Sequence, residues 1–397
     1  MPADDRPELH GPPAEGLSIL VVAGEASGDL HASQLCRQIV QQSRLPVQFW
    51  GSGGDRMAQL GARLLASAHQ LAAIGPAAAI GQLHRYYRLY RAILKEAKGR
   101  RPDLAILVDF PDFNLPLARA LKRRGIGPLV YFISPQLWAW RQGRVRQVRR
   151  TIDQMIVLFP FEADFYRDRG VQARYFGHPL AAREFPVKNR ERFARRHNLN
   201  AGDVFVAVLP GSRRPEVQSI LPVVLEAFEL LDEADREKLR LVIAPAPGME
   251  GEVDALVCGS AARSRIQIIS DSSEVLAQCD YGLVKSGTST LEAALAGLPF
   301  CVVYRGSPLS WVLVRHLLRT KDVALPNLVL RERVVPELIQ NEATPRAVSE
   351  MLSSFVRKDK KWETVRGKLK QVRERLHGAD PYRDAAGAIV ALLGSRA

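Results

Sequence analysis

Short β-branched runs in this chain end repeatedly in a small-residue turn that leads straight into an amphipathic helical stretch. Residues 18–23, 104–109, 129–133 and 155–159 do so in the first half. Strand followed by helix, many times over, builds a parallel sheet covered on both faces. After a polar, charged passage over residues 182–203 the pattern restarts with 204–209, 239–244, 266–269, 281–284 and 300–304. The chain therefore reads as two α/β units, each a doubly wound sheet, and 397 residues is a length at which one core commonly gives way to two. Ligands of such sheets bind beyond the carboxyl ends of the strands, so the chemistry is expected on strand-end loops facing a central cleft.

The expected divisions are a disordered tail over 1–16, an N-terminal domain over 17–182, a C-terminal domain over 183–342, and helices over 343–397. The tail is rich in Pro, Gly and charge and lacks the apolar core of a secretion signal. The last helices carry Lys and Arg on their polar face and are expected to cover either domain or, in a homodimer, a second subunit. No run of roughly 20 apolar residues is present to span a bilayer. Cys36, Cys258, Cys279 and Cys301 stand apart among apolar residues, without the spacing of a metal site or a disulfide framework, so neither metal nor cofactor is expected. Scattered thiols of this kind suit a reducing cytoplasm. A formal charge of +14 implies an anionic partner. Its basic residues gather in 85–101, 119–124 and 141–150 without any nucleic-acid-binding signature, which leaves phospholipid or phosphorylated substrate ahead of nucleic acid.

Two loops in the first half carry candidate chemistry. The first strand runs into Gly24, Glu25, Ala26, Ser27, Gly28 and Asp29, a turn whose backbone can approach a ligand at a helix start; the local alternative is that Asp29 caps a helix. Its spacing is not that of a dinucleotide fingerprint. The strand over 104–109 ends in Asp109, followed by Phe110, Pro111, Asp112, Phe113 and Asn114. Asp112 or Asn114 stands where a helix cap belongs, whereas Asp109 should point outward from the strand end, where partial burial raises a carboxylate pKa. That suits a general base for a hydroxyl nucleophile, with a structural aspartate closing the strand as the alternative.

The second half offers an anion site. Gly211, Ser212, Arg213 and Arg214 lie between strand and helix, where free N–H groups and a guanidinium fork complement a diphosphate. Ser286, Gly287, Thr288, Ser289, Thr290, Leu291 and Glu292 repeat the arrangement. Glycine and hydroxyls there can hold phosphate oxygens, and Glu292, one turn in, can accept from both hydroxyls of a ribose. Ser289 and Glu292 also have capping-box spacing.

With these residues in place, the runs 23–29 (AGEASGD), 108–114, 134–141 (SPQLWAWR), 159–162, 177–179, 209–213, 286–292 and 325–327 resemble the ordered motifs of the lipid A disaccharide synthases over residues 17–390. The resemblance implies a GT-B architecture of two Rossmann-like domains and an inverting, metal-independent glycosyltransferase. Such an enzyme joins UDP-2,3-diacylglucosamine to 2,3-diacylglucosamine 1-phosphate and releases UDP. It also implies Asp109 as the leading candidate for the base, with Asp112 and Glu25 as the alternatives, and Glu25 as a second essential acid. Gly211, Ser212, Arg213, Ser286, Gly287, Thr288 and Glu292 form the implied UDP site, with Ser27 and Asn327 toward sugar or acceptor. His31, Ala32 and Lys285 depart from the family pattern.

Acylated substrates imply work at the cytoplasmic face of the inner membrane. The uncharged segment 71–80 is too short to span and is followed by Leu83, Tyr86, Tyr87, Arg88 and Arg91, a pattern that suits interfacial docking. By itself it reads as buried core, and the implied substrates shift the expectation to membrane contact through Leu71, Ile74, Ile80 and Leu83. Trp138 and Trp140 read as packing residues, and His178 as a structural residue near the domain junction.

Overall fold

The computed structural model describes residues 16–67, 78–306 and 322–394. Residues 1–15 of the expected tail, and Leu71 and Ile74 of the expected membrane segment, lie outside the described residues, as do the side chains of residues 78–82 including that of Ile80. The chain forms two compact units. One comprises Met1–Pro179 with Gly378–Ala397, and the other Leu180–His377.

Unit one is built on seven strands: β1 (Leu17–Ala23), β2 (Val47–Gly53), β3 (Arg63–Ser67), β4 (Leu104–Val108), β5 (Leu129–Phe132), β6 (Gln154–Val157) and β7 (Ala173–Tyr175). They pair in parallel in the order β3-β2-β1-β4-β5-β6-β7. Along β1, Ile19 and Val21 enter the apolar layer on one face while Leu20 and Val22 enter the layer on the other. Burial on both faces explains why this strand is a continuous apolar run rather than an alternating one.

Unit two has six strands: β8 (Val204–Leu209), β9 (Leu239–Ile243), β10 (Ile266–Ile268), β11 (Tyr281–Lys285), β12 (Phe300–Tyr304) and β13 (Glu337–Ile339). They are again all parallel, ordered β10-β9-β8-β11-β12-β13. In each sheet the winding reverses between two central strands, β1 and β4 in one, β8 and β11 in the other. Helices leave those strands in opposite directions, which opens a crevice at their carboxyl ends.

All nine strands anticipated from sequence form, two with the expected bounds and the others with ends displaced by one or two residues. β2, β3, β7 and β13 were not anticipated. β2 ends in the small residues Gly51, Ser52 and Gly53, and the other three are edge strands of three to five residues with few fully buried positions. Strands so placed draw their identity from a neighbour's hydrogen bonds rather than from their own composition.

The helices after residue 343 part company. Pro345–Val356 and Lys361–Leu376 join unit two, where Phe355 stacks on Tyr281 with ring centroids 4.7 Å apart and Trp362 packs beside both. The last helix, Pro381–Gly394, docks instead on helix Ala26–Gln42 of unit one. There the Tyr382 hydroxyl meets His31 Nδ1 at 2.7 Å and Gln42 donates to the Arg383 carbonyl at 2.8 Å. His31 thus serves this docking.

Candidate functional site

At the reversal point of unit one, the loops after β1 and β4 lie side by side. Asp109 directly follows β4 and adopts a left-handed backbone, φ 46°, as does Phe110 at φ 49°. Two consecutive non-glycine residues in that region are strained, and the surroundings hold them there. The Asp109 carbonyl accepts from the Tyr131 hydroxyl at 2.5 Å and from Asn114 Nδ2 at 2.8 Å, while its N–H donates to the Phe132 carbonyl at 3.0 Å. With the backbone pinned on three sides, the side chain is left half-buried at the strand end. Burial pushes its pKa up to about 6, the nearby negative charge of Glu25 adds to the rise, and the Phe110 N–H opposes it. A carboxylate tuned in this way is a stronger base than an ordinary one yet still mostly ionised at neutral pH.

Glu25 is the exposed N-cap residue of helix Ala26–Gln42, and Ser27 is exposed in the first turn. Gly24 before them is obligatory, since a β-carbon there would lie 2.4 Å from the Phe110 ring. The two loops are therefore fitted to each other through one glycine and one aromatic ring.

Three cap assignments need correction. Asp29 does not cap its own helix; its buried carboxylate reaches the next one, accepting from the N–H groups of Gly54 (2.6 Å), Arg56 (3.1 Å) and Met57 (3.2 Å) at the start of helix Asp55–Gln59. Gly54 has no side chain with which to cap that helix, so a carboxylate from elsewhere does it. Neither Asp112 nor Asn114 caps helix Pro111–Arg123, whose N-cap is Phe110. Asp112 pairs with Arg144 at 2.7 Å and Arg141 at 3.3 Å, and buried Asn114 ties down the carbonyls at the β4 end. Ser289 and Glu292 make no capping box either, because the N-cap of helix Thr288–Leu295 is Gly287, and Glu292 is engaged elsewhere.

At the reversal point of unit two, the loops after β8 and β11 stand together in the same way. Gly211 has φ 129°, which other residues rarely adopt, and a β-carbon there would sit 2.7 Å from Glu216. The Glu216 carboxylate accepts from the Ser212 N–H at 3.1 Å and pairs with Lys285 Nζ at 2.9 Å. Lys285 also lies 5.8 Å from the Tyr304 ring centroid, and a β-carbon on Gly287 would be 3.6 Å from its ammonium. An internal anion therefore already bridges the loop that was expected to hold phosphate and the cation that departs from the family pattern.

The two arginines at this helix start differ. Arg214 is committed to Glu252 at 2.9 Å. Arg213, the N-cap residue, is exposed and has no carboxylate in ion-pair range among the described residues. Ser286 and Gly287 are half-buried and Thr288 exposed, so this turn presents polar groups outward while Thr290 Oγ1 donates back to the Gly287 carbonyl at 2.7 Å.

Asn327 proves saturated. Its Nδ2 donates to the Val335 carbonyl and to Glu337, both at 2.9 Å, and its Oδ1 accepts from Val334 at 2.8 Å and Val335 at 2.9 Å. It shapes helix Leu325–Leu330, whose first N–H reaches Thr290 Oγ1 at 3.2 Å, rather than offering polar atoms to a ligand.

Trp138 is more than packing. Its ring lies edge-on to Phe161, and its indole N–H donates to buried Glu162 at 3.0 Å. Burial pushes the Glu162 pKa up to about 7 against the bonds from Trp138, Phe159 and Leu158. Trp140 stacks under Arg141 at 4.5 Å. His178 is buried beside Phe159, and burial holds its pKa down to about 3, which makes it a neutral structural group. Phe110, Tyr131, Glu162 and Arg183 are site-shaping residues to which sequence reading gave no role, and Asn114 is one that it read as a cap. Phe110, Asn114 and Glu162 lie inside quoted motifs, but no local signal marks Tyr131 within a strand or Arg183 in an unremarkable turn.

On helix Ala78–Arg100, Tyr86 and Tyr90 pack inward on Phe110 and Phe113, while Leu83 and Tyr87 are 70% and 58% exposed. No described helix is long and apolar enough to cross a membrane.

Comparison with known proteins sets this geometry in context. Residues 19–389 match the family model described as lipid-A-disaccharide synthetase. The lipid-A-disaccharide synthase of Koribacter versatilis is 38% identical over 370 residues, covering 93% of this chain and 96% of that one. That of Myxococcus xanthus is 38% identical over 376 residues, covering 94% and 97%. Among solved structures, a UDP-GlcNAc 2-epimerase from Neisseria meningitidis has a similar fold, with TM-score 0.60 at 10% identity over 96% of this chain and 100% of that one.

Proposed function

We infer the working parts of the site from one premise: this chain belongs to the lipid-A-disaccharide synthase family. It is a glycosyltransferase that joins UDP-2,3-diacylglucosamine to 2,3-diacylglucosamine 1-phosphate, with inversion, and releases UDP in lipid A biosynthesis.

The observation that carries the assignment of parts is that all four motif loops occupy the carboxyl ends of the strands flanking the two reversal points. In the first unit, Asp109 removes the proton of the acceptor hydroxyl as that oxygen attacks the sugar carbon, with Glu25 raising its basicity and Ser27 beside the acceptor. In the second unit, Gly211, Ser212, Arg213, Ser286, Gly287 and Thr288 receive the diphosphate, and Glu292 the ribose. Asn327 supports that unit's turn from behind. Each unit is a Rossmann-like half of the GT-B kind, the first serving the acceptor and the second the donor.

The arginine pair supplies a test. Arg213→Ala should weaken UDP binding by about ten- to a hundredfold, the worth of a charge-assisted bond, whereas Arg214→Ala should leave it within about threefold because its partner is Glu252. Titration calorimetry with UDP decides between them. Equal losses from both variants would refute the phosphate seat as drawn.

The substrates carry acyl chains, so we place the enzyme peripherally on the cytoplasmic face of the inner membrane, with Leu83 and Tyr87 entering the interface. Exposed apolar side chains four residues apart on one helix, with Arg85, Arg88 and Arg91 around them, support this reading. Leu83→Glu should lower the bound fraction in vesicle flotation severalfold while turnover of detergent-solubilised substrates persists. Unchanged flotation would count against this face.

A further inference from the structure

We propose that Arg183 is a positioning residue of the nucleotide site, holding the Glu292 carboxylate oriented so that its remaining acceptor directions meet the ribose hydroxyls. The proposal rests on the reading of Glu292 as the ribose ligand and adds a residue with no place in the quoted motifs. Arg183 Nη1 donates to Glu292 Oε1 at 2.5 Å, although 109 residues separate them. Its other terminal nitrogen donates to the hydroxyl of Ser273, at the start of helix Ser272–Gln278. The guanidinium thus spans the helices that follow β10 and β11.

Its approach is fixed as well. The Arg183 N–H donates to the Leu180 carbonyl at 3.1 Å, and the guanidinium lies 5.5 Å from the Phe185 ring centroid. Arg373 clamps the preceding segment to the nucleotide-site helix itself, donating to the Ala181 carbonyl at 2.8 Å and to the Leu295 carbonyl, at the end of the helix that bears Glu292, at 2.7 Å. An exposed ion pair ordinarily contributes little because two long side chains must be ordered to make it. Here the backbone, an aromatic face and a hydroxyl have already ordered the arginine.

The chemistry follows from the inventory of acceptors. An ionised carboxylate offers about four lone-pair directions on two oxygens, and Arg183 occupies one of them on Oε1. Oε2 and the rest of Oε1 stay available to a vicinal diol, which needs two acceptors in fixed relation. A guanidinium has donors and no acceptor, so it fixes the carboxylate without competing for the hydroxyl protons of the diol. The predicted consequence is selectivity for a ribonucleotide over its 2′-deoxy counterpart.

Binding of UDP and of 2′-deoxy-UDP, measured by calorimetry, tests the proposal. In the unaltered enzyme UDP should bind about ten- to a hundredfold more tightly, the worth of a hydrogen bond to a charged group. Arg183→Ala should bring UDP down toward 2′-deoxy-UDP, whose own affinity should barely move, so that the ratio approaches one. Arg183→Lys should restore part of the ratio, since an ammonium reaches Glu292 but cannot also bridge to Ser273. In turnover, Arg183→Ala should raise KM for the donor with kcat nearly unchanged, because the ribose contact is the same in ground and transition states. A wild-type ratio in Arg183→Ala, or tighter UDP binding from relief of a competing partner, overturns the proposal. Glu292→Gln separates the two layers of argument. If it collapses the ratio while Arg183→Ala does not, only the role of Arg183 fails; if it leaves the ratio intact, the ribose reading of Glu292 fails too. Should the alanine variant not fold, the lysine variant and Ser273→Ala carry the same comparison, each expected to lower the ratio and each overturning the proposal by leaving it unchanged.

Discussion

Asp109→Asn is expected to lower kcat/KM by about a hundred- to ten-thousandfold, the usual worth of a positioned general base, and at the same time to make the protein more stable. The second half of that expectation comes from the direction of the pKa shift. The folded protein holds the Asp109 proton up to about pH 6 against an ordinary value of 3.8, so it binds that proton more tightly than the unfolded chain does. The stabilisation linked to that proton is complete below pH 3.8 and is lost as pH rises through 6; above 6 the ionised carboxylate burdens the fold. A shift of about two units corresponds to an upper bound of about 3 kcal/mol. Asparagine removes the charge, keeps nearly the same shape, and tolerates the left-handed backbone at φ 46°. Denaturant unfolding at pH 7.5 should therefore show a gain of about 1–3 kcal/mol that disappears at pH 4. For the unaltered enzyme, kcat/KM should fall tenfold per pH unit below about 6 as the base is protonated. An inactive Asp109→Asn protein that is less stable than its parent would make the residue a structural one.

Asp29→Ala should produce the opposite pairing, loss of activity together with loss of stability. Three backbone N–H groups converge on that buried carboxylate, and alanine leaves all three without a partner at the start of helix Asp55–Gln59. Bonds to a charged acceptor are worth about 1.5–3 kcal/mol each, with partial relief by water at the exposed Arg56, so a total near 4 kcal/mol is expected. For a unit of this size that is about a 10 °C fall in the melting temperature. Asp29→Asn, which keeps an acceptor for Gly54 and Met57, should lose about half as much. Turnover falls because Asp29 also sits four residues from Glu25 in the helix that presents the loop, its N–H donating to the Glu25 carbonyl at 2.9 Å. Calorimetric melting alongside kcat distinguishes the two aspartates: one trades stability for chemistry, the other supports the loop on which chemistry depends. A melting temperature unchanged in Asp29→Ala would show that those three bonds contribute nothing net.

Much of this was legible in the order of residues. β1, β4, β8 and β11 are largely apolar and run into Gly24, Asp109, Pro210 and Ser286, so the loops beyond them could be read directly. Among the three-residue edge strands, β10 (IQI) carried enough apolar pattern to be read, whereas β7 (ARY) and β13 (ELI) did not. Among the site residues, Asp109 and Arg213 were legible as types in place. What they touch was not. The spacing that suggested capping for Ser289 and Glu292 was a genuine local pattern that a distant arginine overrode. The saturation of Asn327 depends on a strand ten residues away, and the fate of Arg214 on Glu252 in another helix.

Sequence alone determined where strands give way to turns and helices, because burial on two faces and helical period are written residue by residue. It thereby determined which loops gather at each sheet's reversal point. Only the tertiary structure decided which polar group meets which: that Asp29 caps a helix not its own, that Tyr131 and Asn114 hold Asp109 in a strained backbone, that Arg183 reaches Glu292, and that the terminal helices divide between the two units. Backbone pattern is a local property, whereas the partner of a buried or charged side chain is chosen by whatever the fold brings within about 3 Å, and hydrogen-bonding energy falls away too steeply beyond that distance for sequence neighbours to reveal it.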